Sequence, residues 1–208
     1  MSEKKNFIPE QYNPAEYWNT RDQPNTGAKP GVSKPHADFF AKHVSADARI
    51  LEMGPGIGRM FPLYAGARDA TFSTVDLTEQ HRATLDAAAA AEGLTVKQNH
   101  IKNPDDPYPF EDKSFDVTVS SFVLLHVPFE YIRKTMLEML RVSHRVVVFD
   151  ANVSTRAKSE AERTPSTHVF GHDYEALCSE LGLTVFDRAL FRMPNPQNQP
   201  FALIYGRA

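Results

Sequence analysis

Glu52, Gly54, Gly56, Gly58 and Asp76 are the residues whose types and spacing could hold a ligand. The run Leu51-Glu52-Met53-Gly54-Pro55-Gly56-Ile57-Gly58 follows the apolar approach Ala48-Arg49-Ile50. Glycine accepts backbone angles, and a closeness of approach, that a β-carbon forbids. The run therefore predicts a short strand that turns sharply into a helix beginning near Arg59. Unpaired amides at a helix start attract a polar or anionic group. Eighteen residues past Gly58, the apolar stretch 70–75 ends in Asp76. A carboxylate at the end of a second strand is placed to accept both hydroxyls of a ribose. Together these features point to a cofactor that carries a nucleoside.

Other side chains could act on whatever is bound beside it. His126, His168 and His172 are candidate general bases, because an imidazole titrates near neutral pH. His126 follows Leu125 at the edge of the expected cleft, and a packed histidine with one satisfied nitrogen is the alternative. His168 and His172 flank Phe170 in a loop expected to overhang the cleft; a solvated loop or a helix cap would leave the same pattern. Asp150 and Asn152 end a strand at the cleft edge and could meet a substrate or cap the following loop. Tyr17, Trp18 and Arg21 combine an aromatic surface, which can stack on a ring or attract a cation, with a guanidinium fork able to hold a carboxylate. Alternatively, the two rings anchor the segment to the core. The eight histidines are dispersed, so no metal site is expected.

The elements that must position these residues follow from periodicity and turn chemistry. Residues 1–34 are rich in Pro, Asn and polar types and read as an irregular N-terminal arm, a possible lid, with one or two helical turns over 14–21. Residues 35–208 form the expected single domain. Helices are predicted over 35–44, 58–64, 78–92, 129–141 and 173–181, with Gly93 and Gly182 closing two of them. Strands are predicted over 49–53, 71–75, 94–98, 115–121, 145–150, 184–190 and 201–205. Alternation through the first five strands implies an α/β fold: a mostly parallel seven-stranded sheet covered by helices on both faces. The last two strands are joined directly and can pair antiparallel.

Composition narrows the function classes. At 208 residues, 41% hydrophobic and 24% charged, the chain suits one soluble domain. No apolar run is long enough to span a bilayer. The start Met1-Ser2-Glu3-Lys4-Lys5-Asn6 lacks the apolar core of a signal peptide. The single cysteine, Cys178, fits a reducing cytoplasm and sits in an apolar helical pattern, as a core filler would. The net charge is -3 and the basic residues are scattered, which argues against nucleic acid and for a small-molecule substrate. The oligomeric state is left open.

The order of these pieces from about residue 35 onward resembles class I S-adenosylmethionine (SAM) methyltransferases of the small-molecule type. Glu52 to Gly58 resembles their first motif and Asp76 the acid of the second. Pro109-Phe110-Glu111-Asp112-Lys113-Ser114-Phe115-Asp116, Val123-Leu124-Leu125-His126-Val127, Glu138-Met139-Leu140-Arg141-Val142 and His172-Asp173-Tyr174 resemble later segments. Two departures stand out: Asn99-His100-Ile101-Lys102 lacks the acid often found near adenine, and Val142-Ser143-His144 replaces a Pro-Gly-Gly turn.

The resemblance implies a Rossmann-like fold and SAM as cofactor. Gly54 and Gly56 would admit the methionine portion, while Glu52 would orient the loop or reach the ammonium. Asp76 would hold the ribose, with Leu77 beside adenine. Ser120 and Ser121 would lie near the sulfonium, and Arg21 near the carboxylate. Tyr17, Trp18, Asp150, Asn152 and Phe170 would face the substrate. The implied activity is methyl transfer to an oxygen or nitrogen of a small metabolite. A non-catalytic binding member of the same fold is one rival. A nicotinamide oxidoreductase is the other, disfavoured because Arg59 stands where the dinucleotide fingerprint wants its third glycine. The motifs of adenine-N6 and cytosine-C5 nucleic-acid methylases are absent.

Overall fold

The computed structural model describes residues 12–20, 32–65, 72–153, 157–164, 167–191 and 198–208. Seven strands form one sheet: β1 (Ile50–Met53), β2 (Phe72–Asp76), β3 (Lys97–His100), β4 (Phe115–Ser121), β5 (Ser143–Val153), β6 (Thr184–Leu190) and β7 (Asn198–Gly206). Six helices accompany them: α1 (Pro14–Thr20), α2 (Lys34–His43), α3 (Phe61–Tyr64), α4 (Arg82–Ala91), α5 (Phe129–Val142) and α6 (Tyr174–Glu180). The strand order is β3-β2-β1-β4-β5-β7-β6. The first five strands are parallel, and β7 inserts antiparallel between β5 and β6. The expected fold is the one observed, with the order reversing beside β1, where open α/β sheets bind their ligands.

Successive residues of the central strands face opposite sides, so the sheet sorts its apolar residues into two cores. Leu51, Met53, Val146 and Val148 pack with Met136 and Met139 of α5 and Leu177 and Cys178 of α6. Ile50, Val119, Val147 and Phe149 pack with Phe40 of α2, Tyr64 of α3 and Leu85 of α4. Burying one such side chain contributes about 1.5–3 kcal/mol. Cys178 is buried, and burial pushes its thiol up to about 11, as a core filler requires.

Several expected boundaries move, each for a local reason. The helix expected from Thr78 begins at Arg82, because the Asp76 carboxylate takes the Thr78 amide and the Thr78 hydroxyl takes the Gln80 amide. The helix expected from Gly58 begins at Phe61, since Gly58 itself sits at φ +79. The third strand starts three residues late, at Lys97: Gly93 at φ +70 turns the chain and the Leu94 amide still bonds to Ala89. Strand β5 runs on to Val153 because β7 is long enough to pair with it there.

Asp150 lies within this framework and has no surface exposure. Its Oδ2 accepts the Tyr174 hydroxyl at 2.6 Å and its Oδ1 the Ala151 amide at 2.7 Å, joining β5 to the start of α6. Removing one partner of a buried carboxylate exposes the full cost of its desolvation. Tyr174→Phe is expected to destabilise the fold by about 1–3 kcal/mol, read as a lower urea midpoint with an unchanged slope.

Candidate functional site

The bend after β1 is built on close contacts. Gly54, at φ +65, donates its amide to the Val75 carbonyl at 2.8 Å. A Cβ on it would fall 2.5 Å from Val123 Cγ2. Any other residue would push the Val123 side chain aside, in a backbone conformation that L side chains rarely adopt. Gly56 follows at φ +55. Beyond these glycines opens a cavity of about 500 Å³ at the carboxyl ends of β1, β2 and β4.

Three charged side chains line that cavity: Glu52, Arg59 and Asp76. Glu52 is 1% exposed, and burial pushes its carboxyl up to about 8. The Tyr64 hydroxyl and the Arg59 charge oppose that shift. Even so, Glu52 Oε2 and the Tyr64 hydroxyl both lack a hydrogen-bond partner among the described residues. Arg59 is also lowered by burial; its Nη2 donates to Ser121 Oγ at 3.1 Å and its guanidinium lies 4.9 Å from the centre of the Phe122 ring. Asp76 keeps part of its surface open to the cavity. The enclosing protein pushes it up to about 6, against the pull of the Thr78, Leu77 and Gly56 amides and of His100.

The far wall is aromatic. Trp18, His126 and His168 line it. Trp18 meets His126 edge-on, with centroids 4.9 Å apart, and His168 lies parallel to His126 within 2° at 6.2 Å. His126 Nδ1 lies 2.7 Å from the His168 carbonyl. A carbonyl can only accept, so Nδ1 carries the proton and Nε2 the lone pair of the neutral ring. The Tyr12 hydroxyl donates to the His126 carbonyl at 2.8 Å, and Asn19 Nδ2 donates to the Leu77 carbonyl at 3.3 Å. Residues 12–19 therefore lie across the cleft mouth, touching both ends of it.

The expected site residues divide. Glu52, Gly54, Gly56, Asp76, Leu77, Trp18, His126 and His168 line the cavity. Tyr17 stands just behind, stacked on His168 at 5.2 Å. Four others do not line it. Ser120 is fully buried, and its neighbour Ser121 takes the lining position. His172 Nε2 bonds to the Val127 carbonyl at 2.9 Å. Phe170 has no exposure and packs with Tyr12 and Tyr17. Asp150 is held by Tyr174. These last three hold the wall from behind rather than face a ligand. Asn152 pairs with Gln199 through the backbone, while its side chain and all of Arg21 lie outside the described residues. Arg59, which in the sequence marked only a missing glycine, is a charged lining residue; a lone cation directly after the glycine run was its signal. Among the described residues no group of side chains suits a metal ion, and no helix is long and apolar enough to cross a membrane.

Residues 51–149 match the family described as "Methyltransferase domain". Similar solved structures include the 1,6-didemethyltoxoflavin-N1-methyltransferase of Burkholderia thailandensis, with TM-score 0.62 and 16% identity, covering 84% of this chain and 77% of that one. A SAM-dependent methyltransferase of Methanosarcina mazei has TM-score 0.59 and 16% identity, covering 81% and 96%. The cyclase SpnF has TM-score 0.63 and 16% identity, covering 83% and 80%. No curated protein matches the sequence. At such identities the likeness speaks for the fold, and that fold carries more than one activity, so the chemistry has to be argued from side chains.

Gly54→Ala is expected to be the most damaging single-methyl change in the site, because Cβ meets Val123 and φ is positive. Val123→Ala in the same chain should restore only part of the lost thermal stability: it relieves the collision and leaves the backbone strain. Full rescue would show that φ is of no consequence.

Proposed function

We propose that this chain, whose residues 51–149 match the family described as "Methyltransferase domain", transfers the methyl group of SAM to an oxygen or nitrogen of a small molecule. The observation that carries the reading is the sorting of charge in one cavity: Glu52 of β1 with Arg59 soon after that strand, and Asp76 at the end of β2. A ligand with an ammonium and a carboxylate at one end and a ribose at the other matches that set. Glu52 would take the ammonium, Arg59 the carboxylate and Asp76 the ribose hydroxyls. The unpartnered Oε2 of Glu52 and the space kept open at Gly54 fit such a group.

The cofactor supplies a methyl group on a positively charged sulfur, which keeps the bonding electron pair. The protein's own part is positioning and exclusion of water, which can account for much of the acceleration. Residues 12–19 cover the cleft, and Trp18 narrows it beside His126. Where the acceptor must lose a proton, His126 is the base this reading assigns, and the contact of its Nδ1 with the His168 carbonyl supports that assignment. His168 forms part of the same wall. Ser121 holds Arg59 in place.

Glu52 gives the reading a pH signature. With its carboxyl at about 8, Glu52 is mostly protonated at neutral pH. Holding an ammonium requires the ionised form, so binding must release a proton. Affinity for SAM is therefore expected to rise with pH up to about 8 and then level, with Asp76 adding to the slope below about 6. Calorimetry in two buffers of unlike ionisation heat reads the proton release directly. Glu52→Gln should weaken binding and flatten the slope between 6 and 8. Binding that is independent of pH in the parent protein would sink the assignment of Glu52.

Asp76→Ala is expected to weaken SAM at least tenfold, about 1.4 kcal/mol, and to leave the fold intact. Unchanged affinity would refute the ribose role.

A further inference from the structure

We infer that the methyl acceptor is a flat, uncharged aromatic compound with its nucleophilic oxygen or nitrogen on the ring; the inference rests on the cavity being a SAM site, as argued above. The cavity has two chemically unlike ends. Its charged lining, Glu52, Arg59 and Asp76, belongs to the cofactor end. The rest of the lining includes, among the described residues, the rings of Trp18, His126 and His168 and the aliphatic chains of Leu125 and Val127.

These rings are already in place. The Trp18 edge stands 4.9 Å from His126 at 75°, and His126 and His168 are parallel within 2°. His126 is fixed through Nδ1 to the His168 carbonyl, and its own carbonyl receives the Tyr12 hydroxyl. Tyr17 backs His168 at 5.2 Å. A fixed aromatic surface costs little ordering on binding and rewards a ligand with ring faces and edges of its own.

The same wall penalises other acceptors. A carboxylate, a phosphate or a polyol would lose its hydration against indole, imidazole and aliphatic carbon. An ammonium would likewise give up its hydration there, and a protonated amine has no lone pair to methylate. A neutral phenol or ring N–H meets neither objection. Its hydrogen can be donated to Nε2 of His126, the nitrogen left with the lone pair.

Trp18 is the only tryptophan in the chain, so intrinsic fluorescence reports on this wall alone. The protein is first saturated with S-adenosylhomocysteine, with binding verified by calorimetry. Three probes sharing one phenol ring are then titrated: methyl para-hydroxybenzoate, para-hydroxybenzoate and tyramine, which are neutral, anionic and cationic. The neutral ester is expected to perturb Trp18 and to bind at least tenfold more tightly than either charged probe. His168→Ala should weaken the ester about tenfold by calorimetry while S-adenosylhomocysteine affinity holds, which separates loss of the wall from loss of the site. Equal or tighter binding of the anion or the cation would overturn the inference, as would no binding of any phenol to the loaded protein. Failure of S-adenosylhomocysteine to bind in the first step would instead bring down the cofactor reading, and this inference with it.

Discussion

The end of β1 must pass between β2 and the turn after β4 with less room than a single methyl group needs. Gly54 fills that gap: its amide bonds to Val75 on one side, and the space where its Cβ would be belongs to Val123 on the other. The charged residues of the cavity stand around that contact. Glu52 lies two residues before it, Asp76 directly follows the residue that receives its amide, and Ser121, which holds Arg59, precedes the turn that presses on it. The three parallel strands can converge this closely because β1 is central in the sheet and paired on both sides.

Convergence has an electrostatic cost. Bringing Glu52 and Asp76 into the interior raises both carboxyls above their ordinary range, because burial disfavours the charged form. A carboxyl raised to about 8 in the folded chain binds its proton more tightly there than in the unfolded chain. Its contribution to stability therefore falls as pH rises from the ordinary carboxylate range to about 8. A cation delivered to Glu52 removes that penalty. On the proposed reading, the arrangement is poor for the empty protein and good for the loaded one.

The sequence made the cofactor end legible because its signals are local. Glycine spacing, an acid within an apolar run and a second acid at a strand end all lie within 25 residues, from Glu52 to Asp76. The sheet was legible for the same reason, since each strand and helix announces itself by its own periodicity. Boundaries were lost where side chains compete with the backbone, as at Thr78, whose hydroxyl takes an amide that a helix would otherwise use. His172, Phe170 and Asp150 looked like site residues because histidine, phenylalanine and aspartate at a cleft edge give the same pattern whether they face a ligand or brace a wall. Only their partners, Val127, Tyr12 and Tyr174, distinguish the two. Arg59 was misjudged for the opposite reason: it was weighed as an absent glycine, when its meaning lay in Glu52 and Ser121, seven residues before it and 62 after.

The acceptor end had no local signal to offer, because it is assembled from three distant pieces: α1, the turn Leu124–His126 and the loop at His168. A helix of seven residues such as α1 does not hold together alone in water. Its place is set by what it touches, and it touches both halves of the cleft, Leu77 through Asn19 and His126 through Trp18. The aromatic wall therefore exists only while that helix is docked. A ligand that fills the space beneath Trp18 adds to the surface on which the helix rests. On the proposed reading, cofactor binding and completion of the acceptor wall would then be favoured by the same contacts, with α1 as the element that excludes water.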